Sequence, residues 1–262
     1  MTGCTIMKCD LTAVTTVVPG EGKGSIYSSI TSLDTRVSRH YGLNICQIRS
    51  DNERALGNRF PAWCDRKGID WLPSAIDTAA QNGGAERAGG VIIRISTSIR
   101  IAARLPEDYW PESTVTAAYL HNLMPTETNG WKSPLVTLKE AIGDLSSILV
   151  PSYGHLKAYG CRAYPLTTEV KRGKERKRKL KPRAHIGYLV GYDSTNIFRI
   201  WVPALSKVIR TRDVTFNEDL FFDPKSEDLT AQLVAELKPL VQQVSLPKAL
   251  NLNPSLRLLH NI

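Results

Sequence analysis

The periodicity of the apolar residues changes near Pro125, and that change narrows what this chain can fold into. Before it, short β-branched runs alternate with longer stretches whose apolar residues recur every three to four positions. That is the pattern of strands interleaved with amphipathic helices. After it, short strand patterns follow one another closely with turn signals between them. The first pattern predicts an α/β unit and the second a compact all-β barrel or meander.

Residues 5–10 and 13–18 read as a hairpin, and the glycine-rich stretch 19–24 as a loop. Ile26, Ile30, Leu33 and Val37 fall at i, i+4, i+7 and i+11, which predicts a helix over 25–40, and Gly42 suits its end. A strand over 45–49 then delivers Asp51 just past its C-terminal end. A short helix over 59–67 turns Phe60 and Trp63 inward, 69–72 is a strand, and the small polar stretch 73–84 reads as a loop. Val91, Ile95, Ile99 and Ala102 mark the buried face of a helix over 85–104, weakened by about 1 kcal/mol at each of Gly89 and Gly90 relative to alanine. A further helix covers 107–123, with Pro106 near its first turn. Beyond Pro125, a connector over 126–153 holds one short helix at 138–149. Four strands are predicted at 156–166, 185–192, 197–203 and 207–216, and the Leu-rich tail has at most one helix, at 228–241. The predicted organisation is 1–124 as an α/β core, 125–153 as a linker, 154–223 as a small β-barrel with a basic loop, and 224–262 as a tail.

With 42% hydrophobic residues over 262 positions, most of the chain can bury a core, which excludes wholesale disorder. No apolar run approaches the ~20 residues needed to span a bilayer, and the N-terminus lacks the pattern of a secretion signal. A soluble, intracellular protein without membrane partners is the expectation. The five cysteines include no C-x-x-C pair, and the five histidines are not spaced with them as zinc ligands, so they read as reduced thiols.

The net charge of +9 is concentrated. Lys171, Arg172, Lys174, Arg176, Lys177, Arg178, Lys179, Lys181 and Arg183 stand in one short segment against a single acid, Glu175, and the rest of the chain is close to neutral. Such a run suits the phosphates of DNA, or alternatively RNA, through contacts that position a backbone without reading its sequence. It also reads as a nuclear-import signal, which places the protein in the nucleus as well as the cytoplasm, or as a solvated loop. Tyr188, Tyr192, Phe198 and Trp201 lie nearby. Their period-2 spacing favours barrel core over a base-stacking platform.

Two carboxylates stand out by context: Asp51 past a strand end, and Glu86 at the start of a long helix, with 34 residues between them. A strand end and a helix start can meet at one sheet edge, where hard oxygen ligands suit Mg²⁺ or Mn²⁺. Taken by themselves, the same residues serve equally as a turn residue and a helix-start acid.

Several blocks in order resemble the integrase of copia-type retrotransposons. They are Gln47-Ile48-Arg49-Ser50-Asp51-Asn52, Gly68-Ile69, Pro73-Ser74-Ala75, and Gln81-Asn82-Gly83-Gly84-Ala85-Glu86-Arg87. Leu105-Pro106-Glu107-Asp108-Tyr109-Trp110-Pro111-Glu112 and Ala117-Ala118-Tyr119-Leu120-His121-Asn122 continue the match. His155-Leu156-Lys157-Ala158-Tyr159-Gly160-Cys161, Gly187-Tyr188-Leu189-Val190-Gly191-Tyr192 and Thr211-Arg212-Asp213-Val214-Thr215-Phe216 resemble the small barrel that follows that core. The resemblance covers roughly residues 5 to 224. It implies an α/β ribonuclease-H-like core followed by a small all-β SH3-like barrel, in a fragment of a Pol polyprotein whose ancestral role is DNA integration by metal-dependent strand transfer.

In that comparison Asp51 matches the family's second carboxylate and Glu86 its third, one residue closer together than the family pattern. Glu53 stands where the family usually has glycine. Asn82 and Arg87, beside Glu86, are implied to touch the DNA end. The family's first catalytic Asp lies on its first strand. Here either Asp10 supplies it, or the chain begins after that strand and the sheet lacks a central member. The His/Cys zinc module that precedes the family's core is not found.

Three functions follow from these residues. The first is an integrase-derived nucleic-acid-binding protein that is inactive as this fragment. The second is an active integrase in which Asp10, Asp51 and Glu86 hold Mg²⁺ or Mn²⁺, and the third a non-catalytic protein-interaction module. Homo-oligomerisation is expected from the resemblance.

Overall fold

The computed structural model describes residues 3–20, 22, 25–50, 56–73, 79–144, 153–167 and 183–225. β1 (Gly3–Lys8) and β2 (Thr15–Gly20) form an antiparallel hairpin with Ile6 opposite Val17. Because side chains alternate along a strand, the hairpin has two apolar faces. Cys4, Ile6 and Val17 face a core with Ile92, Ala117 and Ala118, while Met7 packs into a separate core.

That second core is built under α1 (Ile26–Tyr41) and α2 (Arg59–Lys67). It gathers Ile30, Phe60, Trp63, Cys64 and Ile69, with Phe60 set edge-on to Trp71 at 5.4 Å between ring centroids. The two helices are joined by Lys67 Nζ, 2.9 Å from the buried Asp34 carboxylate. α2 stops at Gly68, whose φ of 67° lies in the left-handed region that glycine enters without a Cβ penalty. β3 (Gln47–Ser50) and β4 (Asp70–Pro73) then pair in parallel, Gln47 opposite Asp70, with Ile48 and Trp71 turned to the same core. Among the described residues, no strand joins the β1–β2 hairpin to the β3–β4 pair.

α3 (Ala79–Ala102) begins within the stretch predicted as loop. Once Ile92 and Ser96 are buried, each further turn adds backbone hydrogen bonds at low entropic cost, and this outweighs the glycine penalty at Gly83 and Gly84. α4 (Trp110–Leu123) has alanine, serine and threonine on several sides and is buried on several sides accordingly. Its Ser113 and Thr114 hydroxyls lie 2.7 and 2.9 Å from Ser96 Oγ of α3, satisfying three buried hydroxyls at once. α5 (Pro134–Ala141) starts earlier than its predicted position because Ser133 caps it, accepting a hydrogen bond from Val136 N, and Pro134 occupies the first turn.

The C-terminal sheet is antiparallel in the order β8-β7-β6-β5-β9. Its members are β5 (Cys161–Pro165), β6 (Gly187–Ser194), β7 (Ile197–Val202), β8 (Lys207–Thr211) and β9 (Val214–Phe221). The stretch predicted as one strand over 207–216 divides at Arg212-Asp213, where Asp213 N donates to Thr211 Oγ1 at 3.1 Å. That division closes the barrel. β8 and β9 are opposite edges of the sheet, which a flat five-stranded sheet would hold about 19 Å apart. Yet only two residues join them, and that link reaches about 10 Å when extended. The sheet must therefore curl until its edges meet. Tyr192 and Phe198 belong to the core that all five strands line, whereas Tyr188 and Trp201 are buried on the opposite face, packed with Ala103 and Leu105, so the aromatic set is core but is divided between two faces rather than sharing one inward face.

The described residues up to Phe222 belong to one compact unit. The predicted tail helix over 228–241 lies outside the described residues. No helix among the described residues is long and apolar enough to cross a membrane.

Candidate functional site

β3 and β4 run parallel, so their C-terminal ends reach the same edge, the side on which open α/β sheets present ligand sites. The end of β3 is fixed by Trp71 Nε1, which donates to Ser50 Oγ at 2.9 Å. Asp51 follows directly in sequence but lies outside the described residues. Glu86 stands exposed on the early turns of α3. Arg87, beside it, is also exposed and donates from Nε to Gly83 O at 2.9 Å, so its side chain is held along its own helix. Asn82 belongs to the same helix, and its side chain lies outside the described residues.

Asp10 is placed elsewhere. It sits exposed in the turn between β1 and β2, which Cys9 closes by donating from N to Val14 O and accepting from Ala13 N, each at 2.9 Å. β1 meets α3 where Ile6 approaches Gly89, and Asp10 lies four residues beyond that contact. Among the described residues, no group of three or more His, Cys, Asp or Glu side chains is close enough to hold a metal ion. Carboxylates have the right chemistry for Mg²⁺, but the described residues do not assemble a ligand set, and no chemical step is derived through one.

Of the basic segment, 171–181 lies outside the described residues, whereas its base is well defined. Leu166 bridges to Ala184, Thr167 N donates to Arg183 O at 2.9 Å, and His185 N donates to Pro165 O at 2.9 Å. The run is thus an excursion between β5 and β6, rooted in the barrel where the strand pattern placed it.

The mounting of that barrel was not foreseen. α4 packs against the hairpin, α3 and the barrel together. Asn122 Nδ2 donates to Thr15 O and Asn122 Oδ1 accepts from Thr15 N, both at 2.8 Å, so one amide satisfies a residue of β2 as a neighbouring strand would. On the barrel side, Thr116 Oγ1 is within hydrogen-bonding reach of Val190 O at 3.1 Å, and the Tyr119 ring stacks on Tyr192 at 5.2 Å. Tyr119 Oη lies 2.7 Å from His155 Nε2. Glu112 forms an ion pair with Arg199 of β7. Burial pushes the Glu112 carboxyl up, Arg199 opposes the rise, and Asp193 adds to it. At the other end, the Glu218 carboxyl is held below its ordinary value by hydrogen bonds from Ala158 N and Lys157 Nζ. Gly160 lets the segment pass close to α3: a Cβ there would stand 2.3 Å from Ala103 Cβ, and its φ is 80°. Hydroxyls at Ser113, Thr114 and Thr116, interleaved with Val115, Ala117 and Ala118, were the signal in the sequence for this many-sided burial.

The chain is similar to several known proteins. Residues 161–230 match the family described as the retroviral polymerase SH3-like domain. Over 200 residues, 75% of this chain, the sequence is 32% identical to the retrovirus-related Pol polyprotein from transposon TNT 1-94 of Nicotiana tabacum, of which the chain spans 14%. Similar solved structures include the HTLV-2 integrase catalytic core domain in complex with magnesium (TM-score 0.37, 16% identity, 51% of this chain and 90% of that one). Another is a simian T-cell lymphotropic virus intasome in complex with PP2A regulatory subunit B56 gamma (TM-score 0.40, 14% identity, 81% of this chain and 77% of that one). Over most of its length the chain is thus similar to a stretch of a retrotransposon Pol polyprotein, and its residues 161–230 match the retroviral polymerase SH3-like family.

Proposed function

We propose that this chain is an integrase-derived nucleic-acid-binding protein that grips DNA through its basic loop and does not catalyse strand transfer in this form. One observation carries the reading: nine cations in thirteen positions, from Lys171 to Arg183, are rooted by the Thr167–Arg183 backbone bond in a barrel packed against α4. Such a cluster neutralises several phosphates of one duplex, releasing counterions, and it acts on backbone rather than base edges. Asn82 and Arg87 are proposed as auxiliary contacts, and nuclear entry would use the same basic run. The catalytic alternative assigns Asp51 and Glu86 to Mg²⁺ or Mn²⁺, with Asp10 as the third carboxylate. The position of Asp10 in the hairpin turn weighs against it.

The test is fluorescence anisotropy of a labelled 30-base-pair duplex with the full chain and with a variant carrying glutamine at Lys174, Arg176, Lys177, Arg178, Lys179 and Lys181. At 100 mM salt the variant is expected to bind at least tenfold more weakly. Equal binding by both proteins would remove the basic loop from the account.

A further inference from the structure

α3 packs on α4 and the hairpin through Ile92 and Ser96, both buried, and its other side faces solvent. On that side Gly90, Ile93, Thr97 and Ile101 recur at i, i+3, i+7 and i+11, one stripe about 16 Å long. Ile93 is 44% exposed and Ile101 62%. Gly90 and Thr97 are small, so the two isoleucines stand proud of the surface between them. A β-branched apolar residue on the outer face of a helix adds neither helix propensity nor burial to the fold.

Cations line the stripe. From Arg87 to Pro106 the sequence holds four arginines and no acid. Arg94 is exposed, with its guanidinium laid back over Gly90, where a Cβ would stand 3.8 Å from Nη1. Just past the helix end, Arg104 is exposed at φ 56°. Its turn is closed by Arg104 N donating to Ile101 O at 3.0 Å and Leu105 N to Arg100 O at 3.2 Å. Glycine suits that left-handed position, and arginine there costs stability. Ala103 and Leu105, buried with Tyr188 and Trp201 of the barrel, fix the turn on both sides, so Arg104 projects from a rigid backbone. Among the described residues, neither Arg94 nor Arg104 is paired with a carboxylate.

We infer that this face of α3 docks an acidic amphipathic helix of another protein. The partner's apolar stripe lies between Ile93 and Ile101, and its carboxylates meet Arg94 and Arg104. Charge complementarity decides for this occupant. A second copy would bring the same arginines against each other, with no acid in the stripe to answer them. Duplex DNA would set both isoleucines against phosphates. A helix fits because the stripe is straight and three turns long, the span over which helical anchors at i, i+3 or i+4 and i+7 engage a surface. The basic loop takes no part in it.

The probe is a fluorescein-labelled 21-residue helical peptide with leucines along one face and glutamates beside them. Anisotropy at 100 mM salt follows its titration into the full-length variant carrying glutamine at the six basic-loop positions above, so that the loop does not capture the acids. Binding is expected in the micromolar range. Ile101→Ser and Arg94→Gln should each weaken it at least fivefold. Arg104→Gly separates docking from folding: it should weaken binding at least threefold while raising Tm by about 2–4 °C, because glycine relieves the left-handed residue. Leu11→Ser, at a 78% exposed site on the hairpin turn, should leave binding in place. Should one stripe variant fail to fold, the other two give the readout. No binding up to 1 mM overturns the inference, as does equal binding of a peptide with lysine for every glutamate, or binding that ignores all three stripe substitutions. A 30-base-pair duplex that displaces the peptide, and whose own binding falls with Arg94→Gln but not with Ile101→Ser, makes the face a phosphate contact instead. A dimer that Ile101→Ser dissolves makes it a contact between copies, and either result overturns the inference.

Discussion

Replacing Arg199 by methionine probes the mounting of the barrel on α4. Methionine keeps the stem of the side chain and removes the guanidinium, leaving the Glu112 carboxylate in the barrel–helix contact with Asp193 and the more weakly acting Arg210 as its charged neighbours. Breaking a buried ion pair from one side costs about 3–5 kcal/mol. The two side chains are 20% and 17% exposed, so water screens part of that, and the expected loss is about 2–3 kcal/mol at pH 7. For a unit of this size, it lowers Tm by about 5–10 °C. Glu112→Gln in the same background should restore about half, since a neutral amide is less costly to leave buried. The pH dependence has a definite sign. Burial raises the Glu112 carboxyl in the folded state, and Arg199 is the main influence opposing the rise. A raised carboxyl favours folding below its unfolded value, and that contribution is lost as pH climbs through the folded value. Without Arg199 the rise is larger, so the deficit of Arg199→Met should shrink from pH 7 to pH 5 as Glu112 takes up its proton. Urea unfolding followed by circular dichroism at both pH values measures this. A deficit under about 0.5 kcal/mol, or one equal at pH 5 and pH 7, would refute the argument that this pair locks barrel to helix.

Further consequences concern the same framework. Asn122→Ala removes both amide bonds to Thr15 and should cost about 2 kcal/mol, seen as faster hydrogen exchange at the Thr15 amide; unchanged protection there would show that β2 needs no such partner. Gly160→Ala sets a methyl 2.3 Å from Ala103 Cβ at a positive φ and should destabilise by at least about 2 kcal/mol in a thermal melt. An unchanged Tm would mean that α3 and the barrel do not approach so closely. Burial pushes the Cys161 thiol up to about 12 and raises Cys64, whereas Cys9 and Cys46 are exposed. Ellman's reagent at pH 8 should therefore react quickly with Cys9 and Cys46 and leave Cys161 untouched until the protein unfolds.

The residues whose side chains alternate or recur on one face were legible in the sequence. Ile26, Ile30, Leu33 and Val37 announced α1, and Tyr192 and Phe198 announced the barrel interior, whereas Tyr188 and Trp201 are buried on the opposite face, a division that spacing alone did not show. The start of α3 was hidden, since Gly83 and Gly84 read as breakers and the anchoring burial of Ile92 and Ser96 acts from several turns away. The division of β8 from β9 is marked by local bonds, among them Asp213 N to Thr211 Oγ1 and Val214 N to Arg212 O, which no propensity reveals. The candidate carboxylates were recognised by sequence context. The hairpin pattern already set Asp10 at the edge of its turn, and the structure adds the Cys9 backbone bonds that close that turn. The role of α4 went unseen because the partners of Glu112, Thr116 and Tyr119 lie far along the chain.

A strand-transfer assay tests the central claim most directly. Purified full-length chain, with Glu86→Gln and Asp10→Asn beside it, is incubated with end-labelled duplex and Mn²⁺, and each sample is split between a denaturing and a native gel. The account predicts no nicked or joined product from any of the three, and a mobility shift common to all that collapses between 50 and 200 mM salt. Product from the unaltered chain, abolished by both substitutions, would contradict it and make the protein an enzyme with Asp10 in its site.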